Sequence, residues 1–167
     1  GNDIAVRTRF EKQVNHLMYH PYCGAVFCPV LKIDNHGNSL GIVNGGYMPH
    51  EQIQTYLFYK CCFFHSTAMM RKSALPQTPY DVKNFAEDYG LWVELVKDWE
   101  LHIIDDVLMK VRDLPGGLRA TKEIVKSYQK TKLRQLEWLG LTPDSKEAKI
   151  HLGLERKKIE DNEKDNI

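Results

Sequence analysis

The sequence predicts an α/β protein in which a mixed β-sheet is flanked by helices. Within the first 115 residues, apolar positions at helical spacing alternate with short apolar runs rich in β-forming residues. From residue 121 onward the pattern is helical only. The chain has 167 residues and 43% hydrophobic content, which is enough for one ordinary core.

Residues 8–19 are predicted to form the first helix, which ends before Pro21. The apolar positions of this helix recur at helical spacing and are expected to face the core: Phe10, Val14, Leu17 and Met18. Residues 23–33 are apolar and precede a turn at 34–38, so they predict a buried strand. Pro29 lacks an N–H group and indicates that this strand lies at an edge or contains a bulge.

The middle of the chain predicts further short elements. Residues 41–49 contain two adjacent glycines and are expected to form an irregular loop. Residues 51–59 predict a short helix, and residues 61–70 predict a second apolar strand. Residues 101–111 predict one or two short strands.

Residues 84–95 predict an amphipathic helix that begins with two neighbouring acids, Glu87 and Asp88. Neighbouring residues on a helix point about 100° apart, so only one of the two acids faces the core side. Asp88 precedes Leu91 and Trp92 by three and four residues, which places it on the apolar stripe. Asp88 is therefore a candidate catalytic base.

Both acids also have a structural explanation. Asn84 is a good N-cap, and Glu87 stands three residues later, so Glu87 is predicted to reach back to the backbone N–H of Asn84 in a capping box. Negative charge in the first helical turn is favoured by the helix dipole. Local sequence leaves the catalytic and structural interpretations of Asp88 open.

The C-terminal part is predicted to be helical. Residues 121–140 carry apolar positions among basic ones, and Gly140 closes the helix. A second helix is predicted to start near Pro143. Residues 156–167 are almost entirely polar and predict a solvated helix end or a disordered tail.

Charge and composition exclude several classes of function. The formal net charge is +1, and the basic residues are interspersed with acids, so no nucleic-acid surface is indicated. No segment approaches the roughly 20 apolar residues of a membrane span. The four cysteines lack the C-x-x-C spacing of a zinc site: Cys23, Cys28, Cys61 and Cys62. We expect buried free thiols and a cytoplasmic protein, either free or peripheral at the inner membrane face.

The order of several motifs resembles the second half of a family 2 glycosyltransferase, an inverting enzyme with the GT-A nucleotide-sugar fold. Residues 2–13 (NDIAVRTRFEKQ) are similar to the family's segment after the Asp-x-Asp metal motif, and residues 65–72 (HSTAMMRK) to its strand before the acceptor site. Residues 87–92 (EDYGLW) are similar to its Glu-Asp-x-x-Leu-Trp helix. Residues 136–143 (LEWLGLTP) with 151–152 are similar to a helical extension of some bacterial members.

The resemblance implies a division of the chain. Residues 1–115 would form the acceptor-side half of a GT-A domain, which is a partial mixed sheet flanked by helices. Residues 116–155 would form the C-terminal helical extension, and residues 156–167 the polar tail.

The resemblance also implies a reaction. A sugar would pass from a nucleotide-diphosphate donor to a hydroxyl of a glycan or lipid-linked acceptor, with inversion at the anomeric carbon. Asp88 would remove the hydroxyl proton as general base. Mg²⁺ or Mn²⁺ would stabilise the departing diphosphate.

The resemblance places further residues on the acceptor side, and each has an alternative. Glu87 would help to place the acceptor or would cap the helix. His65 and Ser66 would contact the acceptor sugar or form a satisfied polar pair in a loop. Trp92 would form an apolar wall beside the acceptor or belong to the core.

Two arginines are candidates for phosphate contact. Arg71 precedes a lysine, and the alternative is a solvated basic pair. Arg112 falls where members of the family often carry a Tyr-Arg pair followed by His. This chain has Val-Arg-Asp-Leu there instead, which puts the role of that loop in doubt.

Asp3 would match the last acid after the metal motif and is the candidate metal ligand. The family's donor-binding first half is not in this sequence, which also begins with Gly rather than Met. We therefore expect a half-domain that is inactive alone. Its exposed sheet edge is expected to pair with another copy of the chain and to produce a homo-oligomer.

A second hypothesis from another class is a non-catalytic binding or assembly module that keeps the GT-A half-fold. The sequence does not identify the donor, the acceptor or the linkage, because these depend on pocket shape.

Overall fold

The computed structural model describes residues 3–81, 83–113 and 122–153. Its helices are α1 (Arg9–Tyr19), α2 (His50–Tyr59), α3 (Glu87–Leu95) and α4 (Lys122–Trp138). Its strands are β1 (Ile4–Ala5), β2 (Cys23–Phe27), β3 (Val30–Ile33), β4 (Ser39–Val43), β5 (Met69–Met70), β6 (Glu100–Ile103) and β7 (Met109–Arg112). Short 3₁₀ turns cover His65–Thr67 and Lys72–Ala74, and residues 146–153 are also helical.

The described strands form two mixed sheets, with orders β5-β2-β6 and β1-β7-β3-β4. The parallel pairs are β2 with β6 and β3 with β7, while the other pairs are antiparallel. The predicted α/β class, with mixed sheets flanked by helices, is confirmed. The outer strands of the first sheet are β5 and β6, and association of two copies through such an edge stays a prediction.

The predicted strand at residues 23–33 is in fact two strands in different sheets. Cys28 and Pro29 separate β2 from β3. Both strands lie inside their sheets, so the edge alternative of the prediction is wrong. The other alternative, a bulge, is met away from Pro29, since the pairing register shifts between Cys23 and Ala25 and between Lys32 and Ile33. Because Pro29 has no N–H to donate, it marks the point where the hydrogen-bonded ladder breaks and the chain changes sheets.

Two other loop and strand assignments are also wrong. The first three residues of the predicted loop 41–49 belong to β4 (Ser39–Val43), which pairs antiparallel with β3, and only residues 44–49 are irregular. Within the predicted strand 61–70, only Met69–Met70 is extended and paired. Phe63 is buried and stacks on Phe27 at a ring separation of 3.8 Å, so the apolar character of 61–70 reflects burial of a loop.

Helix α1 confirms the predicted element, but it turns a different face to the core. Three of the four apolar residues predicted to be buried are exposed, at 65%, 44% and 74%: Phe10, Val14 and Met18. Leu17 is buried as predicted. The other buried positions of α1 are polar, namely Arg9 and Gln13.

Gln13 is buried because its amide joins three elements. Its Nε2 donates to the carbonyls of Val26 on β2 (3.2 Å) and Thr67 in the 3₁₀ turn (2.8 Å). Its Oε1 accepts a hydrogen bond from Nε of Arg9 (2.9 Å), and Arg9 also donates to the carbonyl of Ala68 (3.3 Å). Buried carbonyls need donors, and here a polar helix face supplies them.

The main core lies between the β5-β2-β6 sheet and helices α2 and α3. Trp92 of α3 is fully buried and meets Phe27 edge-on at 4.8 Å. Tyr89, also fully buried, donates from its hydroxyl to the carbonyl of Leu57 on α2 and lies 3.0 Å from the side-chain amide of Gln135 on α4. Helix α4 therefore packs directly on α2 and α3.

The remaining predictions about helices are confirmed where the structure describes them. Helices α2 and α4 form as expected, and Gly140 follows α4 with a φ of +72°. The next helix begins after Ser145, whose Oγ accepts the N–H of Ala148 (3.1 Å). The predicted polar tail at 156–167 lies outside the described residues. No described helix is long and apolar enough to cross a membrane.

The cysteines are free thiols, as predicted. Cys23 and Cys28 are buried, whereas Cys61 and Cys62 are only partly buried. Burial raises the pKa of Cys23 to about 12 and that of Cys62 to about 11. Thiols of this kind stay protonated and unreactive at neutral pH.

We predict that Gln13→Leu lowers the free energy of unfolding by about 1–3 kcal/mol, because the Thr67 carbonyl and the Arg9 guanidinium lose a buried partner. Urea unfolding followed by circular dichroism measures the change. Gln52→Leu, an exposed position on α2, is the control and is expected to change stability by no more than about 0.5 kcal/mol. Equal effects of the two substitutions would contradict this role of Gln13.

Candidate active site

Helix α3 begins at Glu87 rather than after Asn84, so the predicted capping box is wrong. Ala86 occupies the N-cap position, and no side chain caps the helix. The backbone N–H of Asn84 donates to the carbonyl of Asp81 (2.8 Å), and the Asn84 side chain accepts the N–H of Ala86 (3.1 Å). Asn84 thus organises the turn before the helix, and Glu87 has no capping role.

The two acids at the start of α3 lie in different surroundings. Glu87 is exposed, whereas Asp88 is half-buried on the side of the helix that carries the buried Leu91 and Trp92. Oδ1 of Asp88 accepts the N–H of Tyr89 (2.7 Å). Among the described residues, Oδ2 has no hydrogen-bond partner and no cation pairs with the carboxylate. Asp88 therefore keeps the capacity to accept a proton.

An exposed imidazole and a phenol stand near Asp88. His65 lies in the 3₁₀ turn, and its Nε2 is 3.3 Å from the hydroxyl of Tyr80. The His65 ring meets the Tyr80 ring edge-on at 5.7 Å and lies 5.5 Å from the Trp92 ring. Trp92 is fully buried and therefore belongs to the core, and the exposed His65 ring packs against it.

The negative charge of Asp88 contributes to the raised pKa of two neighbouring groups, Tyr80 and Cys61. Burial, followed by the charges of Glu87 and Asp88, raises the pKa of the Tyr80 phenol. Burial, with a smaller contribution from Asp88, raises the pKa of Cys61 to about 12. Both groups are therefore protonated at neutral pH, and Tyr80 is available as a hydrogen-bond donor.

A cleft of about 540 Å³ opens along the first turns of α3. Its polar lining combines acids with a phenol and a guanidinium: Tyr80, Asp81, Glu87, Glu94 and Arg134. Arg134 comes from α4 and pairs with Glu94 of α3 (3.2 Å). Clefts of this size hold small ligands, and hydroxyl-rich ligands suit a lining of carboxylates and donors.

Of these five polar residues only Glu87 was a predicted site residue, so sequence reasoning missed the other four, Asp81 and Glu94 as well as Tyr80 and Arg134. Tyr80 follows Pro79 in a turn-rich segment, and the only sequence signal was an aromatic residue in a polar, proline-containing stretch. Arg134 was one of many basic residues on a predicted helix, and nothing local distinguishes it. Its place in the cleft follows from the packing of α4 on α3.

Ser66 shares the 3₁₀ turn of His65 and is half-buried. Arg71 is a predicted phosphate contact, but its guanidinium forms hydrogen bonds to backbone carbonyls. It donates to Leu17 (2.6 Å), Cys23 (3.2 Å) and His20 (3.3 Å). These bonds fix the end of α1 against β2, which favours a structural role for Arg71.

Arg112 and Asp3 lie together in the other sheet. The Arg112 side chain donates to the carbonyl of Asp34 (2.7 Å), and its backbone N–H donates to Oδ1 of Asp3 (3.4 Å). Asp3 is exposed and, among the described residues, belongs to no group of three or more potential metal ligands. No described hydrogen bond or ion pair connects either residue to Asp88.

The chain is similar to two glycosyltransferases. It is 28% identical over 114 residues to an uncharacterized glycosyltransferase of Methanocaldococcus jannaschii, a match that covers 67% of this chain and 39% of that protein. It is 28% identical over 113 residues to the amylovoran biosynthesis glycosyltransferase AmsE of Erwinia amylovora, covering 66% of this chain and 42% of that protein. No family model matches the chain.

The chain therefore resembles a part of each of two glycosyltransferases. The matched segments span about two fifths of each relative's length, so the two relatives extend well beyond the part that resembles this chain.

We predict that Asp88→Asn lowers the pKa of the Cys61 thiol and speeds its alkylation, because the carboxylate raises that pKa. The rate is measured with iodoacetamide at about pH 9, where thiolate formation limits the reaction, using peptide mass spectrometry. Glu87→Gln is the matched control and should leave the Cys61 rate unchanged. An equal response to both substitutions would show that Asp88 does not face Cys61.

Proposed function

We propose that this chain forms the acceptor side of a sugar-transfer site in a family 2 glycosyltransferase with the GT-A fold, and that Asp88 is its general base. The observation that carries the proposal is the state of the Asp88 carboxylate. It is half-buried at the start of α3, one of its oxygens has no partner among the described residues, and no described cation neutralises it. The similarity to two glycosyltransferases supports the reaction class.

The proposed reaction is a direct displacement with inversion. The acceptor hydroxyl gives its proton to the free oxygen of Asp88 as its own oxygen attacks the anomeric carbon of the donor sugar. The new C–O bond forms as the bond from that carbon to the nucleoside diphosphate breaks, and the diphosphate leaves with the bonding electron pair. Partial shielding of Asp88 from water favours proton transfer from the acceptor over proton exchange with solvent.

We place the acceptor sugar in the cleft beside α3. The lining of the cleft includes Glu87 and Tyr80 but not Asp88, so the reacting hydroxyl would have to extend past Tyr80 to reach the Asp88 carboxylate. Glu87 offers an exposed carboxylate to sugar hydroxyls, and the protonated phenol of Tyr80 offers a donor. Arg134 supplies further donors from α4. His65 and Ser66 lie on the 3₁₀ turn next to Tyr80, where they would border the acceptor.

The resemblance implies a divalent cation, Mg²⁺ or Mn²⁺, at the donor diphosphate. The described residues do not provide a donor set for it, since Asp3 is exposed and its carboxylate bonds to the backbone of Arg112. Hard cations of this kind need several oxygen ligands. We therefore assign no step of the reaction to a metal held by this chain.

The partners that fit this proposal are a nucleotide-diphosphate sugar and a glycan or lipid-linked acceptor. One of the relatives is named for amylovoran biosynthesis, and we propose a role in glycan or polysaccharide synthesis for this chain as well.

We predict that Asp88→Asn in the full-length protein reduces sugar transfer by about 10²–10⁴-fold, the usual worth of a general base. Transfer is measured as incorporation of labelled sugar from UDP-, GDP- and dTDP-sugars into the cell's lipid and glycan fractions. Donor affinity, measured by calorimetry, should stay unchanged because Asp88 acts on the acceptor.

Glu87→Gln is the control for this substitution, since it removes the neighbouring charge without touching the proposed base. It should weaken acceptor binding and leave most of the turnover. Retained turnover in Asp88→Asn would reject Asp88 as the base. Absence of any transfer by the wild-type protein would reject the enzymatic proposal itself and favour a binding or assembly module.

We also predict that Tyr80→Ala raises the KM for the acceptor by roughly tenfold, equivalent to about 1.4 kcal/mol, with a smaller effect on kcat. The physical reason is loss of a donor and an aromatic surface in the cleft. Tyr47→Ala, at a 78% exposed position in the loop after β4, is the control and should leave KM unchanged. A loss of kcat with unchanged KM would place Tyr80 outside the acceptor contact.

A further inference from the structure

Three histidines meet where the end of α1 lies beside β6. His16 lies in the last turn of α1, and His20 directly follows the helix and donates its backbone N–H to the carbonyl of His16 (3.0 Å). His102 lies on β6. One ring nitrogen of each residue lies within 4.8 Å of those of the other two. None of the three belongs to the candidate active site, so their convergence needs its own explanation.

The rings are arranged as a group rather than as three separate side chains. The rings of His16 and His20 stack at 4.2 Å with an angle of 25° between their planes. His102 meets both edge-on, at 5.1 Å and with angles of 79° and 75°. His16 and His102 are half-buried, whereas His20 is exposed to solvent.

Two ring nitrogens face each other directly. Nε2 of His16 lies 2.9 Å from Nδ1 of His102. Two nitrogens bound to one Zn²⁺ at about 2.0–2.1 Å in tetrahedral geometry lie roughly 3.3 Å apart. At 2.9 Å one of these nitrogens donates a hydrogen bond to the other, so a shared ion would replace that bond: the donor's proton would move to the other nitrogen of its ring, and a small rotation would direct both lone pairs at the ion.

Glu100 fixes the proton on His102. Its Oε2 lies 2.9 Å from Nε2 of His102, so the proton sits on Nε2 and the lone pair is on Nδ1, the atom that faces His16. Carboxylate–histidine–metal arrangements of this kind orient ligands in metalloproteins. The nearby His50 has a different role, since its Nδ1 accepts the backbone N–H of Leu101 (3.2 Å).

We propose that His16, His20 and His102 bind a divalent transition metal, with Zn²⁺ as the best fit, and that Glu100 is the positioning residue for His102. Three imidazoles favour Zn²⁺, Cu²⁺ or Ni²⁺ over Mg²⁺ and Mn²⁺, which prefer oxygen ligands. His20 is exposed, so the ion has access from solvent, and the fourth coordination position is open to water.

The site would tie α1 to β6. His16 and His102 are 86 positions apart in the sequence, so one ion would cross-link two distant segments of the folded chain. Because the donor set exists only in the folded state, metal binding would also raise the stability of the fold.

The experiment is a titration of the tag-free protein with Zn²⁺ by calorimetry, and with Co²⁺ by visible absorption, which reports the ligand geometry. We expect one ion per chain and a higher Tm in the presence of Zn²⁺. His20→Gln is the first variant because His20 is exposed and its loss spares the core. His20→Gln and His102→Gln each remove a ligand, so each should weaken Zn²⁺ binding more than Glu100→Gln does. Glu100→Gln should weaken binding about 10–100-fold.

His36→Gln is the matched control, because His36 is an exposed histidine in the turn between β3 and β4. It should bind Zn²⁺ as the wild type does. Circular dichroism of each variant without metal checks that the fold is kept. Absence of one-to-one binding by the wild type, or equal binding by His20→Gln, His102→Gln and His36→Gln, would overturn the site whether or not the protein transfers sugars.

Discussion

The buried amide of Gln13 is the contact on which the placement of α1 depends. Its hydrogen bonds to the carbonyls of Val26 and Thr67 hold α1 against β2 and against the 3₁₀ turn that carries His65. This contact decides which face of α1 points inward. His16 and His20 lie three and seven residues after Gln13, so the same orientation turns both toward β6. The candidate active site and the histidine cluster therefore share one structural support.

A second set of packing contacts fixes the position of Asp88 relative to β2 and the 3₁₀ turn. Stacking of Phe27 on Phe63 fixes the loop before the 3₁₀ turn, and Trp92 packs edge-on against Phe27 below His65. Tyr89, next to Asp88, links α3 to α2 and α4 through its hydroxyl. Asp88 thus projects from a helix whose neighbouring residues are locked in the core, which is how a reacting group is held in a fixed position.

The sequence alone distinguished Asp88 from Glu87, because helical phase is a local property and both acids lie in α3 even though the helix begins three residues later than predicted. The same kind of reasoning misplaced the face of α1, since Phe10, Val14 and Met18 are apolar yet exposed, while buried carbonyls require the polar Gln13 inside.

The sequence showed an irregularity at Pro29, but the change of sheet there depends on long-range pairing. The spacing of His16 and His20 was visible too, whereas the approach of His102 is a tertiary property. Tyr80 and Arg134 line one cleft only because α4 packs on α3.

Several titratable groups surround the start of α3, and their chemistry favours Asp88 as the proposed base. Cys61 has a pKa of about 12 and holds its proton at neutral pH, and the raised pKa of Tyr80 makes that phenol a donor. His65 contacts Tyr80, and Glu87 lies in the open cleft with full access to water. Asp88 alone combines partial burial with a free oxygen among the described residues. No described cation pairs with this carboxylate, so its charge is available to a hydroxyl proton.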